Sequence, residues 1–425
     1  MAQDDIYRDT RENPEEIAVE AKPIAPSSTS TPQKKQEVSE NEYYTCTCFQ
    51  NVLQNSRCAN QLPEAQWHSG NKKEIYPDFN PKYILFIPNS VYIRGDMLWM
   101  LLDAKGNNIS TSVGGSGERA YISHETKTLI QSEPGGKISI RTLSNGESTA
   151  TFNAKFGSSI AHAFFYTLGK KLFFAGSKLP APGVQSDSQD LLSILERADI
   201  PSGDKSSRDL LLEDEIESKP KPVLFDSPHI CVAGFENNVI VAEENRILFF
   251  DTSLKVVNLI KGEFEPITMS VDEACRMHLI VSVEGKFELW IVNREGGREC
   301  TIPLFKPFDK TEIPPIIGFD HTVYLIAENR IMAARPDGEI LWVLPAKNTI
   351  KGAIITQGDK LLVTEEKEVV YYSLEAERNE LFAVEDELIC TPPVLSPDGK
   401  MSFATDKHLY CIEAITNEKD LKQIL

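Results

Sequence analysis

The sequence predicts an all-β protein, a β-propeller of four-stranded blades, eight in number with seven as the alternative. Three observations predict it: short β-rich segments alternate with turns from Lys82 onward, one pattern recurs at a fixed interval, and four strands can be read in each recurrence. The interval is set by Ala242-Glu-Glu-Asn245-Arg-Ile-Leu and Ile326-Ala-Glu-Asn329-Arg-Ile-Met, whose asparagines stand 84 residues apart, or two units of about 42. Val283-Glu-Gly285-Lys-Phe-Glu-Leu-Trp290-Ile fills the unit between them, and equivalent turns fall near Asp96, Gly136, Ser177, Lys367 and Lys407. One gap, between the third and fourth turns, is longer than the others.

Within the clearest unit the four strands are 315–320, 321–326, 330–334 and 339–344. The last two are joined by Pro336-Asp337-Gly338, whose Asp-Gly favours the positive backbone dihedrals of a tight hairpin. A single blade cannot bury both of its faces, so blades must stack around an axis, and closing the ring protects the sheet edges. The last unit runs out after its third strand, near Ala414, and lacks an apolar fourth. A strand near Glu74-Ile75-Tyr76 is expected to complete it.

Thr322-Val-Tyr-Leu through Glu339-Ile-Leu-Trp342, and Ser396-Pro-Asp-Gly399-Lys-Met-Ser-Phe through Leu409-Tyr410-Cys-Ile, resemble repeats of the quinoprotein (pyrroloquinoline-quinone-type) propellers. The resemblance spans about 82–414 and implies the fold, which by itself does not imply a function. Dehydrogenases of that family are generally exported, set adjacent cysteines beside the cofactor and hold a calcium ion. This chain departs from them in having no adjacent cysteine pair, no evident export signal and no assignable metal ligands, so no cofactor is expected.

Composition narrows the partners. The 425 residues carry a formal net charge of −19 and a pI near 4.9, which works against a nonspecific grip on nucleic acid or an anionic membrane and leaves room for steering a basic partner. The first 43 residues are acidic and polar, with too little apolar surface to offset chain entropy, and are expected to be disordered. Residues 44–81 read as a lead-in, 82–415 as the propeller and 416–425 as a tail. No stretch resembles a secretory h-region or approaches the ~20 apolar residues of a membrane helix, so a cytoplasmic location is expected.

An insertion at about 181–221 breaks the strand pattern. It holds two leucine clusters, Leu191, Leu192 and Leu195 with Ile194, then Leu210, Leu211 and Leu212. The 191/194/195 spacing sets three side chains on one side of a nascent helix, capped by Asp187 or Ser188. These leucines are the candidate partner-binding residues, as a short motif folding onto a partner; the alternative is a tolerated surface loop.

Few residues suggest chemistry. The seven histidines fall in different units without His-x-His or His-x-x-x-His spacing. Cys46-x-Cys48 with Cys58 lacks a well-placed fourth zinc ligand, His68 being a poor one, and Cys231, Cys390 and Cys411 read as buried small hydrophobes. Gly114-Gly115-Ser116-Gly117 precedes no helix and reads as a blade-to-blade loop. Trp99, Trp290 and Trp342 lie in strands and read as packing residues, while Trp67 precedes the repeats. The resulting expectation is a non-enzymatic scaffold binding protein partners of unknown identity. The alternatives are a small-ligand sensor, a propeller resembling envelope-protein assembly factors, or an enzyme with a site in the central channel.

Overall fold

The computed structural model describes residues 71–412, apart from the stretches 179–192 and 200–222 and several shorter loops. A first strand, β1 (Asn71–Glu74), precedes the regular repeat. Blade 1 follows with β2 (Tyr83–Ile87), β3 (Ser90–Arg94), β4 (Leu98–Asp103) and β5 (Asn108–Val113), and blade 2 with β6 (Ala120–Ser123), β7 (Thr128–Glu133), β8 (Lys137–Thr142) and β9 (Ser148–Asn153). Blade 3 comprises β10 (Ile160–Leu168), β11 (Lys171–Lys178), β12 (Ser193–Asp199) and β13 (Val223–Phe225). Blade 4 is β14 (Cys231–Phe235), β15 (Asn238–Glu243), β16 (Arg246–Phe250) and β17 (Val256–Lys261); blade 5 is β18 (Glu265–Val271), β19 (Met277–Val283), β20 (Lys286–Val292) and β21 (Arg298–Pro303). Blade 6 is β22 (Ile316–Ile317), β23 (Val323–Ala327), β24 (Arg330–Ala334) and β25 (Ile340–Pro345), and blade 7 is β26 (Ile350–Ile355), β27 (Leu361–Glu365), β28 (Glu368–Tyr372) and β29 (Arg378–Ala383). Blade 8 has only β30 (Val394–Leu395), β31 (Met401–Ala404) and β32 (His408–Ile412) from the C-terminal side, and β1 pairs with β32 as its fourth strand. Among the described residues there are therefore eight four-stranded sheets.

The two middle strands of a blade are covered on both faces by neighbouring blades, so they read as unbroken apolar runs. β16 is Arg-Ile-Leu-Phe-Phe and buries everything after the arginine; β24 is Arg-Ile-Met-Ala-Ala and does the same. Each core lies between blades. Met269, Leu279 and Trp290 of blade 5 pack on Ile240, Ile247 and Phe249 of blade 4, and Tyr324 and Ile331 of blade 6 pack on Leu361 and Tyr372 of blade 7. The ring closes where Ile75, Phe79, Ile84 and Ile93 meet Val394, Ala404 and Leu409, joining the last blade to the first. The strand that pairs with β32 is Asn71–Glu74, which shares only Glu74 with the expected Glu74-Ile75-Tyr76.

One turn device recurs. In the loop joining third to fourth strands, residue i receives an N–H from residue i+3 and donates to the carbonyl of i+4, with residue i+3 left-handed. It occurs at Asp251/Leu254 (φ 59°), Asn293/Gly296 (φ 91°) and Arg335/Gly338 (φ 95°). The same turn joins first to second strand at Asp272/Cys275 (φ 59°). An Asp or Asn at i accepts backbone N–H groups further along the turn, as Asp251 Oδ1 does from Ser253 (2.7 Å) and Lys255 (3.0 Å). Asp337 itself keeps a negative φ, so the Asp-Gly hairpin is a turn ending on left-handed Gly338 with a one-residue bulge, rather than a two-residue turn with both dihedrals positive.

The reading of 181–221 as one insertion, with a nascent helix at 191–195, is corrected. β12 lies inside it and pairs with β11 over Ser193↔Ser177 to Asp199↔Lys171. The free edge of β11 needs a partner, and that backbone pairing overrides a helical spacing resting on three side chains. The span is two connections, 179–192 and 200–222, on either side of a blade strand. The cysteine reading shifts as well: Cys275 and Cys300 are buried, whereas Cys231, Cys390 and Cys411 are half-buried.

Candidate protein-binding face

The hairpins between second and third strands share one face with the connections that lead to the next blade, and backbone hydrogen bonds tie the two together. Asn245 donates its N–H to Phe264 O (2.9 Å) and accepts from Gly262 N (3.0 Å), and Asn329 O accepts from Ala346 N (2.8 Å). The asparagines that mark the repeat in the sequence are therefore the residues that hold each inter-blade connection. Phe287 O, Lys367 O and Lys407 O accept equivalent bonds from Leu304, Val384 and Ile75.

Between blades 4 and 5 this arrangement leaves an open groove of about 450 Å³. Its walls carry four carboxylates, Glu244, Glu263, Glu265 and Glu284, beside Asn245, Phe264 and Gly285. No lysine, arginine, histidine or cysteine lines it. The walls are stiff. Asn245 Oδ1 accepts from Phe264 N at 3.2 Å, and Glu284 (φ 50°) and Gly285 (φ 78°) both take left-handed backbone in a two-residue turn. The floor residue Phe264 meets Trp290 edge-on at 5.3 Å, and the Arg298 guanidinium lies 3.3 Å from the centre of the indole.

Several carboxylates elsewhere on this face are paired internally. Glu365 is buried and accepts from Tyr372 Oη (3.1 Å), Arg378 Nη2 (3.2 Å) and Asn348 N (3.0 Å). Arg378 also donates to Glu368 at 2.7 Å, and Lys347 pairs with Glu368. Burial pushes the Glu368 carboxyl up, but the bonds from Arg378 and Lys347 outweigh it and hold it below its ordinary value. Burial and the neighbouring Glu365 push the Tyr372 phenol well above its ordinary value. Glu387 likewise accepts from Thr405 Oγ1 (2.6 Å) and pairs with His408 Nδ1 (2.9 Å). By contrast, none of the four groove carboxylates takes part in an ion pair among the described residues. The groove can present fixed negative potential to a cation.

Of the leucines singled out from the sequence, Leu195 lies on β12, at the third-strand position of blade 3, opposite Ala175. Leu191, Leu192, Leu210, Leu211 and Leu212 lie outside the described residues, as do Trp67, the Cys46, Cys48, Cys58 and His68 set, and Gly114 to Gly117, which fall between blades 1 and 2. Trp99, Trp290 and Trp342 pack between blades as expected. Trp99 stacks on Tyr92 at 5.8 Å, and Trp342 donates its indole N–H to Leu374 O of the next blade at 2.9 Å. Sequence reasoning missed the groove, although its signal was present in Glu243-Glu244-Asn245, Glu263-Phe264-Glu265 and Glu284-Gly285.

Eight radially stacked four-stranded sheets closed by a strand from each end of the repeat define a β-propeller. Solved structures agree. The chain is similar to BamB from Moraxella catarrhalis, with a TM-score of 0.58 at 12% identity over 82% of this chain and 99% of that one. It is also similar to Sqt1 from Saccharomyces cerevisiae, with a TM-score of 0.54 at 11% identity over 84% and 100%. At such identities the likeness is one of fold. No family model and no curated protein sequence matches the chain.

Proposed function

We propose that the chain is a non-enzymatic scaffold that binds a protein partner through the acidic groove between blades 4 and 5, taking a lysine- or arginine-rich segment. The observation that carries this reading is the set of Glu244, Glu263, Glu265 and Glu284 on stiff walls with no cation among them. Like charges gathered without internal partners repel one another, and a basic segment relieves that repulsion while the low-dielectric floor strengthens the attraction. The net charge of −19 adds long-range steering toward the same partner. Cys231, Cys300 and Cys390, in no disulfide among the described residues, fit a cytoplasmic setting, where thiols stay reduced. Burial pushes the Cys231 thiol up to about 12, which makes it a poor nucleophile.

The test is affinity capture from native lysate with the full chain and with an E244Q/E263Q/E265Q/E284Q variant, followed by quantitative mass spectrometry. The expected result is a protein with a basic segment that is retained by the wild-type chain, released as salt is raised, and weakened on the order of tenfold by the variant. An identical captured set from both chains, or a demonstrated catalytic turnover, overturns the reading.

A further inference from the structure

A second surface lies on the side of the propeller and has the opposite character. Six large apolar side chains are conspicuously exposed among the described residues, and three of them, Val256 (51%), Val257 (57%) and Leu259 (42%), stand on β17. β17 is the outermost strand of blade 4 and is hydrogen-bonded only to β16. An outer strand that is free on one side is a template for another extended chain, and proteins ordinarily blunt it with polar residues.

Register shows that blades 1, 2 and 5 follow that rule at the position of Leu259. Leu259 stands opposite Leu248, and the matching outer-strand positions in blades 1, 2 and 5 are Thr111 opposite Met100, Thr151 opposite Ser139, and Thr301 opposite Trp290. In blade 5 the counterparts of Val256 and Val257 are Arg298 and Glu299, both exposed. Blade 6 has apolar residues on β25, but Leu341, Trp342, Val343 and Leu344 are half-covered there. Blade 4 alone among these exposes the apolar set in full.

The ends of β17 are basic. Lys255 and Lys261 are exposed at its two ends, while Arg246, opposite Lys261 on β16, is paired with Glu243 at 2.5 Å. At the lower end Lys171 of blade 3 reaches Thr252 at 3.3 Å. One side of the strand is occupied, since Asn258 Nδ2 donates to Arg294 O of blade 5 at 3.0 Å while its Oδ1 accepts from Leu259 N at 2.9 Å. Val257 and Leu259 project on the other side.

We infer that the β17 edge is a second docking site, which takes an extended segment of a partner protein with apolar residues at alternate positions and carboxylates at both ends. The apolar side chains cover Val257 and Leu259, and the terminal carboxylates meet Lys255 and Lys261. The site differs from the groove in strand, in residues and in the sign of charge, so either can fail alone.

The experiment is selection of a random twelve-residue displayed peptide library on the full chain, with affinities of enriched peptides measured by fluorescence anisotropy. The controls are V257K/L259K, K255E/K261E and the groove variant. Val257 and Leu259 are exposed, so the first change leaves folding intact, as circular dichroism checks. The expected result is enrichment of peptides with alternating apolar residues between acidic ends. Their affinity falls on the order of tenfold in each β17 variant and is unchanged in the groove variant. No enrichment, enrichment of peptides without acidic ends, or affinity unchanged by both β17 variants overturns the inference. So does a wild-type dimer that V257K/L259K converts to monomer, which makes a second copy of the chain the occupant.

Discussion

Replacing Asp272 by alanine is expected to destabilise the protein by about 3–5 kcal/mol, the loss typical of breaking a buried charge pair from one side. Asp272 is fully buried at the turn between β18 and β19. Its Oδ1 accepts from Ala274 N (3.0 Å) and Arg276 N (2.9 Å), and its Oδ2 from Arg276 Nε (2.7 Å) and the His278 ring at 3.2 Å. Alanine removes the acceptor of all these bonds at a position shut off from solvent. Burial by itself pushes the Asp272 carboxyl up, but the bonds from His278 and Arg276 outweigh it and hold the group well below the usual carboxylate range. Its contribution is therefore complete above the unfolded-state value of about 4 and is lost as the pH falls below it. Urea denaturation at neutral and acid pH checks this: the wild-type chain loses more stability on acidification than Asp272→Asn does, and equal losses would remove Asp272 from the account.

Phe79→Ala is the second large effect, expected at about 3–5 kcal/mol. Phe79 is 1% exposed in the core that joins blade 8 to blade 1. Its surroundings allow little collapse, because its backbone carbonyl lies so close to Gly95 that a β-carbon there would stand 2.0 Å away. The cavity therefore stays open, and it opens where the ring is joined by contacts between residues more than 300 apart in sequence. The denaturant midpoint should drop in one cooperative transition for the whole propeller. A separate early transition confined to blades 8 and 1 would mean that closure does not stabilise the rest.

The sequence showed most of the fold because the blade pattern is local. Seven of the eight turns read from it fall at second-to-third-strand connections, from 95–97 in blade 1 to Asp406-Lys407 in blade 8, and the eighth, near Ser177, lies at the end of β11, the second strand of blade 3. Asn245 was conspicuous because a left-handed backbone (φ 66°) and two backbone bonds to the next connection restrict what can stand there, and Asn329 accepts one such bond from Ala346. The strand β12 was missed because Ser193-Ile-Leu-Glu-Arg-Ala-Asp lacks strict alternation, and what makes it a strand is the waiting edge of β11. The acidic residues of the groove stood in the sequence, but neither the groove nor the β17 edge could be assembled from it, for a related reason. Glu244 and Glu284 belong to different repeats, and only the stacking of blades 4 and 5 brings them to one cleft. Val257 and Leu259 look like any strand residues until register shows that β17 is outermost.

Both binding surfaces presuppose one closed ring, and the junction between β1 and β32 can be tested directly. Asn71 stands opposite Cys411 in that pair, and facing residues of antiparallel strands are spaced for a disulfide. Asn71→Cys, oxidised and mapped by peptide mass spectrometry, is predicted to give a bond between residues 71 and 411 and to raise the thermal midpoint. A Cys411 thiol that stays free while residue 71 pairs elsewhere, or with nothing, would contradict the closed eight-bladed ring.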